Sequence, residues 1–114
     1  MHKNYFKQFV LTVAMLLCNV VANAHDFEVD GIFYNFIQGT DNAVAVTYKG
    51  GNYAYYKNEY TGNVVIPDSV IYNGMSFRVT NIQGYAFYDC KELTGVTIPD
   101  GVLKIGEYAF RICI

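Results

Sequence analysis

At 114 residues the chain has room for one domain, with 53% hydrophobic and 16% charged residues and a formal net charge of −2. It carries no basic run or stripe, which excludes the electrostatic footprint of a nucleic-acid or anionic-membrane binder. The apolar excess is uneven, and much of it lies in the first 24 residues.

Those 24 residues have the pattern of a secretory signal. Lys3 and Lys7 form a positive start, Phe9 to Val21 an uncharged apolar stretch, and Ala22-Asn23-Ala24 a small-x-small cleavage motif. Cleavage between Ala24 and His25 is expected. The apolar stretch is shorter than the about 20 residues of a membrane span. Lipidation at Cys18 is disfavoured because Leu17 precedes it where a small residue is needed. Loss of Lys3 and Lys7 leaves six basic against ten acidic residues, a formal charge of −4. The expected location is the cell surface or the extracellular space.

Residues 25–60 read as a β-rich N-terminal cap. Phe27 to Val29, an Asp30-Gly31 turn and Ile32 to Ile37 predict a hairpin, because Asp-Gly suits the primed turns that match strand twist. Ala43 to Tyr48 predicts a further short strand. Tyr53 to Tyr60 is aromatic and alternating.

Residues 61–114 repeat themselves, and an internal period decides the fold. Ile82, Tyr85, Ala86, Phe87 and Cys90 match Ile105, Tyr108, Ala109, Phe110 and Cys113, each at an offset of 23. Val64-Val65-Ile66-Pro67-Asp68-Ser69-Val70 matches Val96-Thr97-Ile98-Pro99-Asp100-Gly101-Val102 at an offset of 32. The difference is an insertion in the first unit. Asn73-Gly74 within it predicts a β-hairpin at 70–80 that projects from the unit. Leu93-x-x-Val96-x-Ile98 turns alternate side chains inward from a short strand that Pro99 ends. Val102, Ile105, Ala109 and Phe110 are expected inward, Gly106 at a tight bend, and 107–110 in one helical or 3₁₀ turn. The second unit is incomplete, and roughly three are needed for a continuous core. The chain is therefore expected to be a piece of a longer array.

The motif running from Ile66-Pro67 through Val70, Ile82, Gly84, Ala86-Phe87, Cys90 and Leu93-Thr94-Gly95-Val96-Thr97-Ile98-Pro99 resembles the BspA-type leucine-rich repeat of bacterial surface proteins. It departs from that pattern in Gln83-Gly84, where glycine usually follows the isoleucine directly. The resemblance implies a mainly β fold: an N-terminal hairpin cap followed by a truncated leucine-rich-repeat solenoid with short helical turns. It also implies adhesion to matrix proteins or other cells.

Chemistry is sparse. Beyond the signal, His25 is the only histidine, and Cys90 and Cys113 are the only thiols. Equivalent repeat positions suggest a stacked ladder of free thiols, with a disulfide between coils as the alternative. No zinc set, phosphate loop or nucleotide motif is present, so no catalytic, metal or cofactor site is expected. Asp26, Glu28 and Asp30 alternate on one strand face and read as solvated rather than calcium-binding. The candidate binding residues are Tyr53, Tyr55, Tyr56 and Tyr60, which also suit cross-strand packing, together with Val65 and Thr97, which should point outward from the coil strands. The expected function is binding of host or bacterial surface proteins. The alternatives are glycan capture by the tyrosines and a repeat module attached to a downstream enzyme.

Overall fold

A computed structural model describes residues 25–50, 59–111 and 113, so the expected signal segment and Ala24 lie outside the described residues. The described chain is all β: β1 (Phe27–Val29), β2 (Ile32–Phe36), β3 (Ala43–Thr47), β4 (Gly62–Val65), β5 (Ser69–Tyr72), β6 (Met75–Ile82), β7 (Leu93–Thr97) and β8 (Lys104–Ile105). Six strands form one sheet in the order β1-β2-β3-β6-β5 with β8 also on β6, and β4 pairs with β7 in a second.

Both short turns follow from their residues. Asp30 and Gly31 have φ of 52° and 82°, and Asn73 and Gly74 have 53° and 77°. Two successive positive φ values define the primed turn that aspartate, asparagine and glycine tolerate best. The Asn73-Gly74 hairpin does not project from the first unit, as the sequence suggested. Its second strand, β6, is the centre of the large sheet. It pairs antiparallel with β5 from Met75 to Arg78 and parallel with β3 from Arg78 to Ile82. The cap and the first repeat therefore share one sheet. β3 (Ala-Val-Ala-Val-Thr) is buried at all five positions, so both of its faces are covered, which suits its continuous apolar run.

The two repeats stack. β4 and β7 run parallel with Val64 opposite Val96, and β6 and β8 run parallel with Ile82 opposite Ile105. Between them, the amides of Tyr85, Phe87 and Asp89 donate to the carbonyls of Glu107, Ala109 and Arg111 at 3.1, 2.7 and 2.9 Å. The Phe87 and Phe110 rings lie 5.0 Å apart at an interplanar angle of 3°. Ile82 is 1% exposed and Ile105 53%, because no further coil covers Ile105 among the described residues.

Residues 107–110 are not the helical turn expected from sequence. The amides of Ala109 and Arg111 donate to Gly106 and Tyr108 at 3.3 and 3.2 Å, a string of overlapping turns with Tyr108 at φ 61°. The first coil repeats this with Tyr85 at φ 64° and Asp89 at 59°. A residue in the left-handed region resets the chain direction and prevents a helix from propagating. Gly106 itself needs no special φ. Its lack of a side chain answers a different demand, since a Cβ there would lie 2.8 Å from Gly84 Cα and 2.9 Å from Gln83 C. Glycine is required by backbone contact between coils rather than by a bend.

Candidate functional site

The parallel pair β4–β7 presents the exposed face of the stacked coils. Its β-branched residues favour the pleat, and alternation sends Val64, Leu93 and Val96 toward the core. Val65 and Thr97, the two outward positions expected from sequence, are direct register partners and both exposed. Asn63 opposes Gly95, and its side-chain oxygen lies 2.9 Å from where a Cβ of residue 95 would sit. Glycine at 95 thus leaves room for the Asn63 amide. The face formed by Asn63, Val65, Gly95 and Thr97 is small and uncharged. It can recognise a partner by shape and hydrogen bonding.

The tyrosine cluster divides. Tyr53, Tyr55 and Tyr56 lie outside the described residues. Tyr60 is 3% exposed and is removed from the candidate surface: it is core. Its hydroxyl donates to the Thr47 carbonyl at 2.7 Å and accepts the Phe33 amide at 3.0 Å, while its ring packs on Phe33 and Phe87. Burial pushes its phenol well above the ordinary range. Tyr60→Phe is expected to cost about 1–3 kcal/mol, because it strands a buried amide and a buried carbonyl. Urea midpoints would measure the loss, and hydrogen exchange at Phe33 should accelerate. An unchanged midpoint would show that the two bonds are dispensable.

His25 is held in place. Its Nδ1 lies 2.6 Å from the Lys49 carbonyl, and its ring meets Phe33 edge-on at 5.0 Å. Cys90 and Cys113 are free thiols. The Cys113 Sγ donates to the Phe87 carbonyl at 2.7 Å. Burial raises both thiol pKa values, opposite to the shift that activates a nucleophilic cysteine. Asp26, Glu28 and Asp30 are exposed, and among the described residues no three metal-ligating side chains are grouped.

Two groupings were missed at the level of sequence. Tyr85 packs 5.3 Å from Tyr88 and 5.4 Å from Tyr108, with the Arg111 guanidinium 4.9 Å above the Tyr108 ring. The 23-residue offset that equates Tyr85 with Tyr108 was the available signal. The other is a groove in which Asp30 and Tyr34 face Val65. No local pattern could have indicated it, since its walls come from strands more than 30 positions apart.

A family model described as the BspA-type leucine-rich repeat region matches residues 49–114. The fold is similar to the crystal structure of a leucine-rich repeat protein from Bacteroides ovatus, with a TM-score of 0.64 and 32% identity over 78% of this chain and 21% of that one. It is also similar to a leucine-rich repeat protein from Bacteroides capillosus, with a TM-score of 0.58 and 29% identity over 76% of this chain and 58% of that one. The chain thus spans less than two thirds of either protein. No curated protein matches it.

Proposed function

The chain belongs to the BspA-type leucine-rich-repeat family, and from that premise we propose that it is an exported, surface-associated binding scaffold without catalysis. The coils form the start of a solenoid whose β4–β7 face meets a partner protein, on the host or on neighbouring bacteria. The observation that carries this reading is the pairing of exposed Val65 with exposed Thr97 on a stacked parallel strand pair. Solenoids of this kind bind through the continuous face that such strands generate. Adhesion is the functional consequence, and the N-terminal pattern ending at Ala24 supports export.

The full chain is expected to bind at least one immobilised matrix protein, fibronectin being the first to test by surface plasmon resonance. Val65→Glu and Thr97→Glu should each weaken that binding by about tenfold, the effect of a charge in the centre of an interface. Asp41→Asn, exposed between β2 and β3 of the other sheet, should leave it unchanged. Absence of binding across a panel of host and bacterial surface proteins would overturn the reading.

A further inference from the structure

A groove separates the β1–β2 turn from β4. Its wider part, about 360 Å³, is bounded by Asp30, Ile32 and Tyr34 on one side and by Val65, Val70 and Ile71 on the other. An extension of about 310 Å³ shares Asp30, Ile32 and Val65 and reaches Glu59 and Asn63.

The groove runs along an unpaired strand edge. The β4 amides of Gly62 and Ile66 donate to Glu92 and Thr97 at 2.9 and 3.0 Å, so the even-numbered backbone groups face β7. By the alternation of a strand, the amides and carbonyls of Asn63 and Val65 point the opposite way, toward the groove. Among the described residues β4 pairs with β7 alone.

Beneath the groove lies an unmet polar group. Tyr34 is fully buried, yet among the described residues its hydroxyl has no hydrogen-bond partner. Native proteins satisfy nearly all such groups, and exceptions call for an explanation. Burial first, and then the nearby Asp30 charge, push this phenol above its ordinary range. Asp30 makes the wider part of the lining acidic, with no basic residue among the lining residues, whereas Glu59 in the extension already has Lys49 and His25 nearby. Val65 and Ile71, 60% and 65% exposed, give it aliphatic walls. Such walls offer no aromatic plane for a sugar ring to stack on.

We propose that this groove takes an extended peptide segment of a partner protein, which pairs as an added strand with the Asn63 and Val65 backbone and sets a lysine or arginine against Asp30. Edge strands are templates for this kind of addition. Alternate apolar side chains of the peptide would cover Val65 and Ile71. The inference rests on the protein-binding reading above and locates a second contact for it, adjoining the β4–β7 face and sharing Asn63 and Val65 with it.

The test uses the ¹⁵N-labelled full chain and two blocked heptapeptides of alternating threonine and valine, one with a central lysine and one with a central glutamate. The lysine peptide is expected to shift the amides of Asp30, Asn63 and Val65 saturably, and the glutamate peptide to bind about tenfold more weakly. Asp30→Asn keeps the turn, since asparagine tolerates the φ of 52°, and should erase the preference between peptides. Val65→Pro removes a groove-facing amide while sparing those that bond β7, and should abolish the shifts. Should Val65→Pro fail to fold, Asp30→Asn decides alone. Equal affinity for both peptides, shifts confined to other residues, or a chain that dimerises on sedimentation and ignores both peptides would overturn the proposal. A chain that binds fibronectin but neither peptide loses the groove alone. One that takes the lysine peptide but no matrix protein loses the β4–β7 face alone.

Discussion

Gly106→Ala is expected to destabilise the fold by about 3 kcal/mol or more, among the largest effects of any single methyl group in the chain. The added Cβ would sit 2.8 Å from Gly84 Cα and 2.9 Å from Gln83 C, far inside the about 3.5–4.0 Å of a comfortable carbon contact. Both neighbours are backbone, so no rotamer change can relieve the clash. Relief requires the coils to part, and the 2.7 Å bond from the Gly106 amide to the Ile82 carbonyl would stretch with them. Gly101→Ala is the matched control. Its nearest contact would be the Val79 carbonyl at 3.7 Å, an ordinary separation, and Gly101 has no positive φ. That substitution should be neutral or stabilising by about 0.4–1 kcal/mol, through the reduced freedom of the unfolded chain. Urea denaturation of the two variants gives the comparison. Similar midpoints for both would mean that the coils do not approach at Gly106.

What sequence revealed and what it withheld divide along local and non-local lines. The Asp30-Gly31 and Asn73-Gly74 hairpins were legible because turn chemistry is a property of adjacent residues. The 23-residue offset foretold that Ile82 would layer on Ile105 and Phe87 on Phe110, because a period states which positions are equivalent. Strand partnership across the chain was not legible. Nothing in Ala43 to Thr47 names β6 as its parallel neighbour, so the inserted hairpin read as a projection rather than as the middle of a sheet. Tyr60 was indistinguishable from Tyr53, Tyr55 and Tyr56 by type. Its hydroxyl partners, Thr47 and Phe33, are 13 and 27 positions away. Gly106 was assigned to glycine's backbone freedom, when its cause was a contact with a residue 22 positions earlier. The exposed pair Val65 and Thr97 was legible because a two-residue alternation fixes the outward face of a strand once its inward residues are known.

Phe87→Ala is expected to cost about 3–5 kcal/mol, a large share of the about 5–15 kcal/mol that holds a domain together. Phe87 is fully buried and sits where three parts of the fold meet. Tyr60 packs on it at 4.6 Å between ring centroids, Phe110 stacks on it at 5.0 Å, and its carbonyl receives the Cys113 thiol. Truncation leaves a cavity between the next coil, bonded to the Phe87 backbone, and the buried Tyr60 ring, and neither can collapse into it, so the transfer loss and the cavity penalty add. Phe110→Ala removes the same atoms from the equivalent position of the next coil, yet should cost only about half as much. Phe110 is half-buried and, among the described residues, meets a stacked ring on one side only. In a stack governed by nearest neighbours, an inner ring serves two interfaces and an outer ring one. Thermal melts and urea midpoints of the two variants test that ordering. Equal losses at both positions would mean that coil identity, and not position in the stack, sets the contribution of each phenylalanine, and the layered arrangement behind the β4–β7 face would not be what stabilises it.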